Sequence, residues 1–267
     1  MTRIPDIGLG TFRLQGQQAY DAVANGLVAG YRHIDTAQIY ANEAEVGAAL
    51  AASGIPREQV FVTTKVWTEH LRAGALVDSI KESLRKLRLE QLDLALIHWP
   101  SPGDEVPLDE SMQALLQARE LGLTRAIGVS NFTIAHLRTA IAAVGAPNIA
   151  TNQIELHPFL QNRAAAGFTR EAGIRVTAYM PLAVGKAVAH PVIQGIAQRL
   201  QATPAQVTLA WLLARGHVVI PSSTRREHLE QNLAATRVQL APADLAAIDA
   251  LDAGERIATP EFAPRWD

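Results

Sequence analysis

Three apolar runs in this chain each stop at an ionisable side chain: Asp35 after His33-Ile34, Lys65 after Val62-Thr63-Thr64, and His98 after Leu96-Ile97. Tyr40 lies just beyond the first of them. A buried strand ordinarily gives way to Gly, Asn or Ser, because those residues start turns. Strands ending in Asp, Lys and His, with a Tyr beside them, predict one polar site at one end of a sheet. Singly, each has a plain structural reading: a turn residue for Asp35, a solvated charge for Lys65, a satisfied core imidazole for His98. As a set they suit proton transfer. A tyrosine with an unperturbed pKa near ~10 is a poor acid at neutral pH. An ammonium ~4 Å away, at an effective dielectric near ~20, is worth about 4 kcal/mol to the phenolate, or about three pKa units. Lys65 can supply that charge to Tyr40, and Asp35 can keep the ammonium charged in an enclosed place. His98 can donate a hydrogen bond to a carbonyl oxygen and fix its direction. Such a group protonates an oxygen that turns negative as a carbonyl is attacked.

Further along, other expected strand ends carry amides, hydroxyls and an aromatic ring: Ser130-Asn131, Asn152-Gln153, Tyr179 and Ser222-Ser223. Amides recognise a carboxamide through paired donor and acceptor contacts, and a tyrosine face stacks on a flat ring. A hydroxyl-rich loop with Arg225, opening a helix expected over 226–234, suits a phosphate. Carboxamide, flat ring and phosphate together describe a nicotinamide nucleotide. The rival enzyme reading is a Schiff-base aldolase with Lys65 as a desolvated nucleophile. It leaves Tyr40 and the amide cluster unexplained.

The elements that must position these residues alternate regularly. Strands are expected at 7–10, 31–35, 60–65, 92–98, 125–130, 149–155, 174–179 and 218–221, several of them apolar throughout, as in a parallel sheet covered on its outside. Between them, Leu76, Ile80, Leu84 and Leu87 make one apolar helix face, with Glu82 and Lys86 as an i,i+4 pair on its flank. Thr203-Pro204 reads as an N-cap and first helical position, with Gly216 past that helix's end, and Pro242 opens a helix over 243–251. Eight β units separated by helices in 267 residues predict an α/β fold, a closed (β/α)8 TIM barrel forming a single domain over 1–267. An open doubly wound sheet would announce a G-x-G-x-x-G turn, and Gly8-Leu9-Gly10-Thr11-Phe12-Arg13 has two of its three glycines.

Composition narrows the partners. A net charge of -2 gives no electrostatic case for nucleic acid or an anionic membrane. Without cysteine there is no disulfide, thiolate zinc site, iron–sulfur cluster or cysteine nucleophile, which fits a reducing cytoplasm. No His/carboxylate cluster has metal-ligand spacing, so the expected chemistry uses no metal. Neither a signal peptide nor a membrane-length apolar run is legible, and no extra interface element argues against a monomer. The expected partner is a small molecule.

Asp35, Tyr40, Lys65 and His98 resemble the tetrad of the aldo-keto reductase family in identity, order and strand placement. The likeness extends through Gly8-Leu9-Gly10-Thr11, Arg32-His33-Ile34-Asp35-Thr36-Ala37, Gly128-Val129-Ser130-Asn131-Phe132 and Ile220-Pro221-Ser222-Ser223. Within the family it is greatest for the short bacterial members that reduce 2,5-diketo-D-gluconate. The resemblance implies NADPH-dependent reduction of small aldehydes, α-dicarbonyls or keto-sugar acids. It makes Tyr40 the general acid, Lys65 and Asp35 its tuning pair, and His98 the carbonyl orienter. It assigns Ser130, Asn131 and Gln153 to the carboxamide and Tyr179 to stacking on the nicotinamide. The rest of the implied cofactor set is Thr11, Asp35, Met180, Leu182, Ala183, Ser222, Ser223, Thr224, Arg225, His228 and Asn232. The implied substrate contacts are Phe12, Trp67, His98 and Trp99. Trp67 and Trp99 follow catalytic strand ends and either line a pocket or simply pack. Ser222 and His228 depart from the family pattern, where Lys and Arg attend the adenosine end of NADPH. A slow-turnover NADPH-binding sensor barrel is the non-enzyme alternative. His33 and Trp211 read as structural, and the tail 259–267 either folds over the mouth or ties the terminus down.

Overall fold

A computed structural model describes residues 3–267. Eight parallel strands follow one another in chain order: β1 (Leu9–Gly10), β2 (His33–Asp35), β3 (Phe61–Val66), β4 (Leu92–Ile97), β5 (Thr124–Ser130), β6 (Ile149–Glu155), β7 (Arg175–Tyr179) and β8 (Val218–Val219). The sheet closes on itself: Ile7 bridges Val219 in parallel, and the Gly8 N–H donates to Val219 O at 2.8 Å. This is the expected (β/α)8 barrel. Around it lie α1 (Gly16–Ala29), α2 (Glu43–Ala52), α3 (Ala73–Leu87), α4 (Leu108–Glu120), α5 (Ile134–Val144), α6 (Arg163–Glu171), α7 (Lys186–Ala189), α8 (Pro191–Leu200), α9 (Pro204–Ala214), α10 (Arg226–Leu233) and α11 (Pro242–Asp249). The first, second and last strands are shorter than their apolar runs. Pro221, which lacks an N–H to extend a ladder, follows β8.

Side-chain alternation divides the barrel into an inside and an outside. Leu94 and Leu96 of β4, in register with His98, join Ile4, Phe61 and Val218 in a compact inner cluster. Leu92, Ala95 and Ile97 belong to the larger core, which also takes the α3 face Leu76, Ile80, Leu84 and Leu87. The Thr203 cap forms as expected, its Oγ1 accepting from Gln206 N at 3.2 Å while Gln206 Oε1 accepts from Thr203 N at 2.9 Å. Glu82 has a nearer partner than Lys86, which stands 3.8 Å away: Arg85 donates to both its oxygens at 2.7 Å. Trp211 is 2% exposed, its indole N–H on Asp249 Oδ1 at 2.8 Å, in keeping with a packing role. Among the described residues no helix is long and apolar enough to cross a membrane.

One irregularity bears on the site. The β5–β6 register shifts between Ile127 and Val129, so that β6 carries one extra residue opposite Gly128. A Cβ on Gly128 would stand 2.8 Å from Thr151 O, a backbone atom that cannot yield, so glycine permits this bulge. Just beyond it the strand ends in Ser130.

Besides His98, two histidines are buried in uncharged form. Burial pushes His33 down to about 4, with Nε2 3.1 Å from Thr63 Oγ1, and it likewise holds His217 at about 4, assisted by Arg170 and Arg215. The unfolded chain takes up these protons near ~6.5 and the native state does not, so the stability is whole above that pH and is lost as pH falls toward 4. Each histidine is worth up to about 3 kcal/mol by this linkage. The urea midpoint is therefore expected to fall steadily between pH 6.5 and 4, and His217→Leu should make that decline shallower. Equal slopes for the two proteins would remove His217 from the account.

Candidate active site

The C-terminal strand ends bring Asp35, Lys65 and His98 together, and the turn after β2 adds Tyr40. Lys65 is 0% exposed and Asp35 1%. The Lys65 ammonium pairs with Asp35 Oδ1 and donates to Thr36 O at 2.8 Å, while Gln153 Nε2 donates to Asp35 Oδ2 at 2.7 Å. Burial pulls the ammonium below its ordinary pKa, and the Asp35 charge pulls it back up. Tyr40 ends a short helical turn, Gln38–Tyr40, packed down by its neighbours in sequence. Asn42 Nδ2 donates to Thr11 O and Leu14 O, both at 2.9 Å, and Thr36 Oγ1 donates to Asn42 Oδ1 at 2.7 Å. Gln38 joins this turn to the next strand end, accepting from Trp67 N at 2.9 Å.

Lys65 Nζ lies 5.0 Å from the Tyr40 ring centroid, beside it as the sequence suggested. The electrostatic outcome differs from the expected lowering. Burial first, and then the Asp35 charge, push the Tyr40 phenol well above 10. Tyr40 thus stays protonated at neutral pH, the state a proton donor needs. His98 packs edge-on against Tyr40 at 5.6 Å and Trp67 at 5.2 Å. Burial and the Lys65 charge hold it well below the usual imidazole range. Its Nδ1 is buried without a partner, so the edge bearing Nε2 is what meets the cavity.

These groups line a cavity of about 590 Å³. Thr11, Asp35, Tyr40, His98, Ser130, Asn131, Gln153, Tyr179, Met180, Leu182 and Ser222 are on its wall, as are Phe12, Trp67 and Trp99, with Phe12 against Tyr40 and Trp67 against His98. Lys65 stands behind the wall. The amide group is tightly cross-linked: Tyr179 Oη donates to Asn131 Oδ1 at 2.7 Å, Asn131 Nδ2 to His98 O at 3.0 Å, and Ser130 Oγ to Gln153 O at 2.8 Å. Asn131 holds a φ of +62°, a left-handed conformation that asparagine tolerates and that turns its amide back into the site. No hydrogen bond among the described residues occupies Gln153 Oε1. A half-buried tyrosine face beside these amides and the Ser130 hydroxyl has the donor set of a flat, carboxamide-bearing ring, so a nicotinamide fits.

The remaining positions stand apart from the cavity wall. Thr224, Arg225 and His228 are exposed, around the start of α10, with Ser223 half-buried beside them. Ser223 Oγ accepts from Arg225 N at 3.1 Å, and the Arg225 guanidinium lies 3.4 Å from Glu227. Ala183 is 0% exposed and Asn232 3%, each packed into the protein rather than onto the wall; Val184 and Gly185 face the cavity instead of Ala183. The tail folds over the mouth. Phe262 wedges between Trp67 at 5.8 Å and Trp99 at 5.6 Å, and Ile257, Ala258 and Pro260 complete that side. The only sequence signal for Phe262 is an aromatic residue between Pro260 and Pro264.

The family model described as Aldo/keto reductase family matches residues 6–253. The chain belongs to the aldo/keto reductase family and is an oxidoreductase. It is 57% identical over 265 residues to the protein named methylglyoxal reductase DkgB of Escherichia coli O157:H7, covering 99% of both chains. It is 44% identical over 253 residues to an aldo-keto reductase of Mycolicibacterium vanbaalenii, covering 95% of this chain and 90% of that one. Among solved structures it matches a protein provisionally described as a 2,5-diketo-D-gluconic acid reductase B, with a TM-score of 0.94 and 41% identity, covering 99% and 94%.

The buried ion pair makes a stability prediction. Lys65→Met leaves the Asp35 carboxylate enclosed without its cation and should cost about 3–5 kcal/mol. Adding Asp35→Asn to it removes the orphaned charge and should recover part of that loss in urea unfolding. A double variant no more stable than Lys65→Met would show that the charge pairing is not what holds this region.

Proposed function

We propose that the protein is an NADPH-dependent carbonyl reductase for small aldehydes, α-dicarbonyls of the methylglyoxal kind, or keto-sugar acids such as 2,5-diketo-D-gluconate. The observation that carries this reading is a protonated phenol and a neutral imidazole facing one cavity, with a buried ammonium–carboxylate pair behind them. Bound NADPH would supply the hydride. His98 Nε2 donates to the carbonyl oxygen and fixes its direction beside Tyr40. As that oxygen gains negative charge, Tyr40 Oη gives it a proton, and the Lys65 ammonium steadies the phenolate left behind. Ser130, Asn131 and Gln153 hold the carboxamide, and Tyr179 backs the ring. Phe12, Trp67 and Trp99 exclude water from the carbonyl. The substrate range follows from what the similar methylglyoxal and diketogluconate reductases are named for.

The rival aldolase finds little support. Lys65 Nζ is fully buried, engaged by Asp35 and Thr36 O, and behind the cavity wall, out of reach of a substrate carbonyl. A slow sensor would have no need of a protonated phenol and an imidazole facing one cavity in front of a buried ion pair. We further propose a monomeric, cytoplasmic enzyme of one barrel domain over 1–267, working without a metal, a nucleic acid or a membrane; the absence of cysteine and the net charge of -2 support that reading.

Tyr40→Phe should abolish steady-state carbonyl reduction while leaving NADPH affinity, read by fluorescence titration, within about threefold of the parent; the ring packing against Phe12 at 5.1 Å survives the change. Near-normal kcat would remove Tyr40 from the role of acid.

Cofactor choice turns on Arg225. Ser222 offers a neutral hydroxyl where the family resemblance implies a lysine, and exposed His228 lacks the bidentate guanidinium that a 2′-phosphate favours. Arg225 has only a long contact to Glu227 to surrender, and it stands at the start of α10, where the helix dipole adds to its attraction. One such contact is worth about 1.5–3 kcal/mol, or roughly ten- to over a hundredfold in affinity. Arg225→Ala should therefore weaken NADPH by that factor and NADH hardly at all. Equal losses for both would show that Arg225 does not read the phosphate.

A further inference from the structure

Glu155 ends β6 at the same end of the barrel as the tetrad, yet it takes no part in the chemistry described so far. Its side chain is 0% exposed. Both carboxylate oxygens are used on groups outside the barrel strands: Oε1 accepts from His157 Nε2 at 2.9 Å and from Ile257 N at 2.7 Å, and Oε2 accepts from Ala258 N at 2.8 Å. A carboxylate is costly to bury unless its oxygens are satisfied, and here two of the three donors are backbone groups of the tail.

That tail has no helix or strand after α11, so a few discrete contacts decide where it stands. Ala253 N and Glu255 N reach Phe159 O at 3.1 and 2.9 Å, and the Asp267 carboxylate accepts from Ile134 N at 3.0 Å at the start of α5. Between these two fastenings Glu155 holds residues 257 and 258, which themselves line the cavity. Asn162 reinforces the hold: its Nδ2 donates to Glu155 O at 2.5 Å and its Oδ1 accepts from Arg256 Nη2 at 2.8 Å. The Arg256 guanidinium lies 3.7 Å over the Trp266 ring, which packs on Trp99 at 6.0 Å. Contacts therefore run from Glu155 through the tail backbone to Phe262, Trp67 and Trp99, and end at His98.

We propose that Glu155 is a positioning residue for the substrate cavity: its buried carboxylate clamps the backbone of Ile257 and Ala258 and thereby sets the aromatic wall that faces the carbonyl. The role rests on the carbonyl-reductase reading above for its effect on turnover, and on geometry alone for its effect on the tail. Glu155 also pairs in register with Tyr179, so a role through the cofactor ring is the competing account that an experiment must separate.

Glu155→Gln keeps the size of the side chain but puts an amide N–H₂ where one oxygen accepted from a backbone N–H. With saturating NADPH and methylglyoxal as the probe substrate, KM should rise about tenfold, the lower end of what one lost charge-assisted hydrogen bond gives. kcat and NADPH affinity should each stay within about threefold. Ala258→Pro, which removes one donor from the tail without touching the barrel, should raise KM in the same direction, and the double variant should be no worse than Glu155→Gln alone. If Glu155→Gln does not fold, Ala258→Pro decides by the same measure. Limited trypsin digestion, with cleavage after Arg256 and Arg265 followed by mass spectrometry, should be faster in both variants, and this reads the clamp without any turnover. Unchanged KM and unchanged digestion would overturn the proposal, as would a loss of NADPH affinity equal to the rise in KM, which would place Glu155 behind Tyr179 instead. Absent turnover in the parent protein with faster digestion in the variants would sink the reductase reading and keep the clamp.

Discussion

Lys65 carries its charge where no water reaches it, and much of the barrel's upper end is arranged around that fact. A buried ammonium requires a counter-charge and acceptors for its protons. They come from the neighbouring strand end, as the Asp35 carboxylate and the Thr36 carbonyl. The carboxylate's second oxygen is met by Gln153, from a strand across the barrel. Three strand ends are thus tied into one polar knot, which only a closed sheet can bring together. The pair contributes less to net stability than to specification, since an apolar pair could fill the same volume.

Around this knot the reacting groups stay neutral. Burial lifts the Tyr40 phenol and depresses the His98 imidazole, so both have their proton state set before any substrate arrives. Because burial penalises the phenolate and the Asp35 charge opposes it, the phenol is not drawn toward ionisation prematurely. Charge that develops on a carbonyl oxygen then meets fixed donors in an enclosed site, where such interactions are stronger than in water and need no reorganisation. The amide cluster obeys the same logic: Asn131 is oriented by Tyr179 and by the His98 carbonyl, which links the carboxamide side of the cavity to the proton-donating side.

The aromatic wall is built differently. Phe12, Trp67, Trp99 and Phe262 come from loops and from the tail; Phe262 meets Trp67 and Trp99 by aromatic edges rather than by ladders, and Phe12 packs on Tyr40. Loops on a rigid scaffold vary without cost to the core, which is why a barrel can keep one reaction and change its substrate. Glu155 is where the rigid part grips the variable part.

The amino-acid sequence alone determined the alternation of strands and helices, hence the barrel, because apolar runs and caps are local signals. It also determined that Asp35, Lys65 and His98 share one end, because residues at the ends of parallel strands must lie on the same side of the sheet. Tyr40 was legible by its place just past the Asp35 strand end, although the short turn that holds it has no periodicity to read. The sense of the Tyr40 shift was not readable: it depends first on how deeply the phenol is buried and then on the Asp35 charge beside it, both settled by packing across strands. Nor was the burial of Ala183 and Asn232 away from the cavity, which helix and turn orientation decide. Least visible was the grip of Glu155 on residues 257 and 258, some hundred positions apart. A carboxylate at a strand end looks the same in sequence whether it meets water or a returning tail, and only the tertiary structure brings the backbone donors that keep it buried.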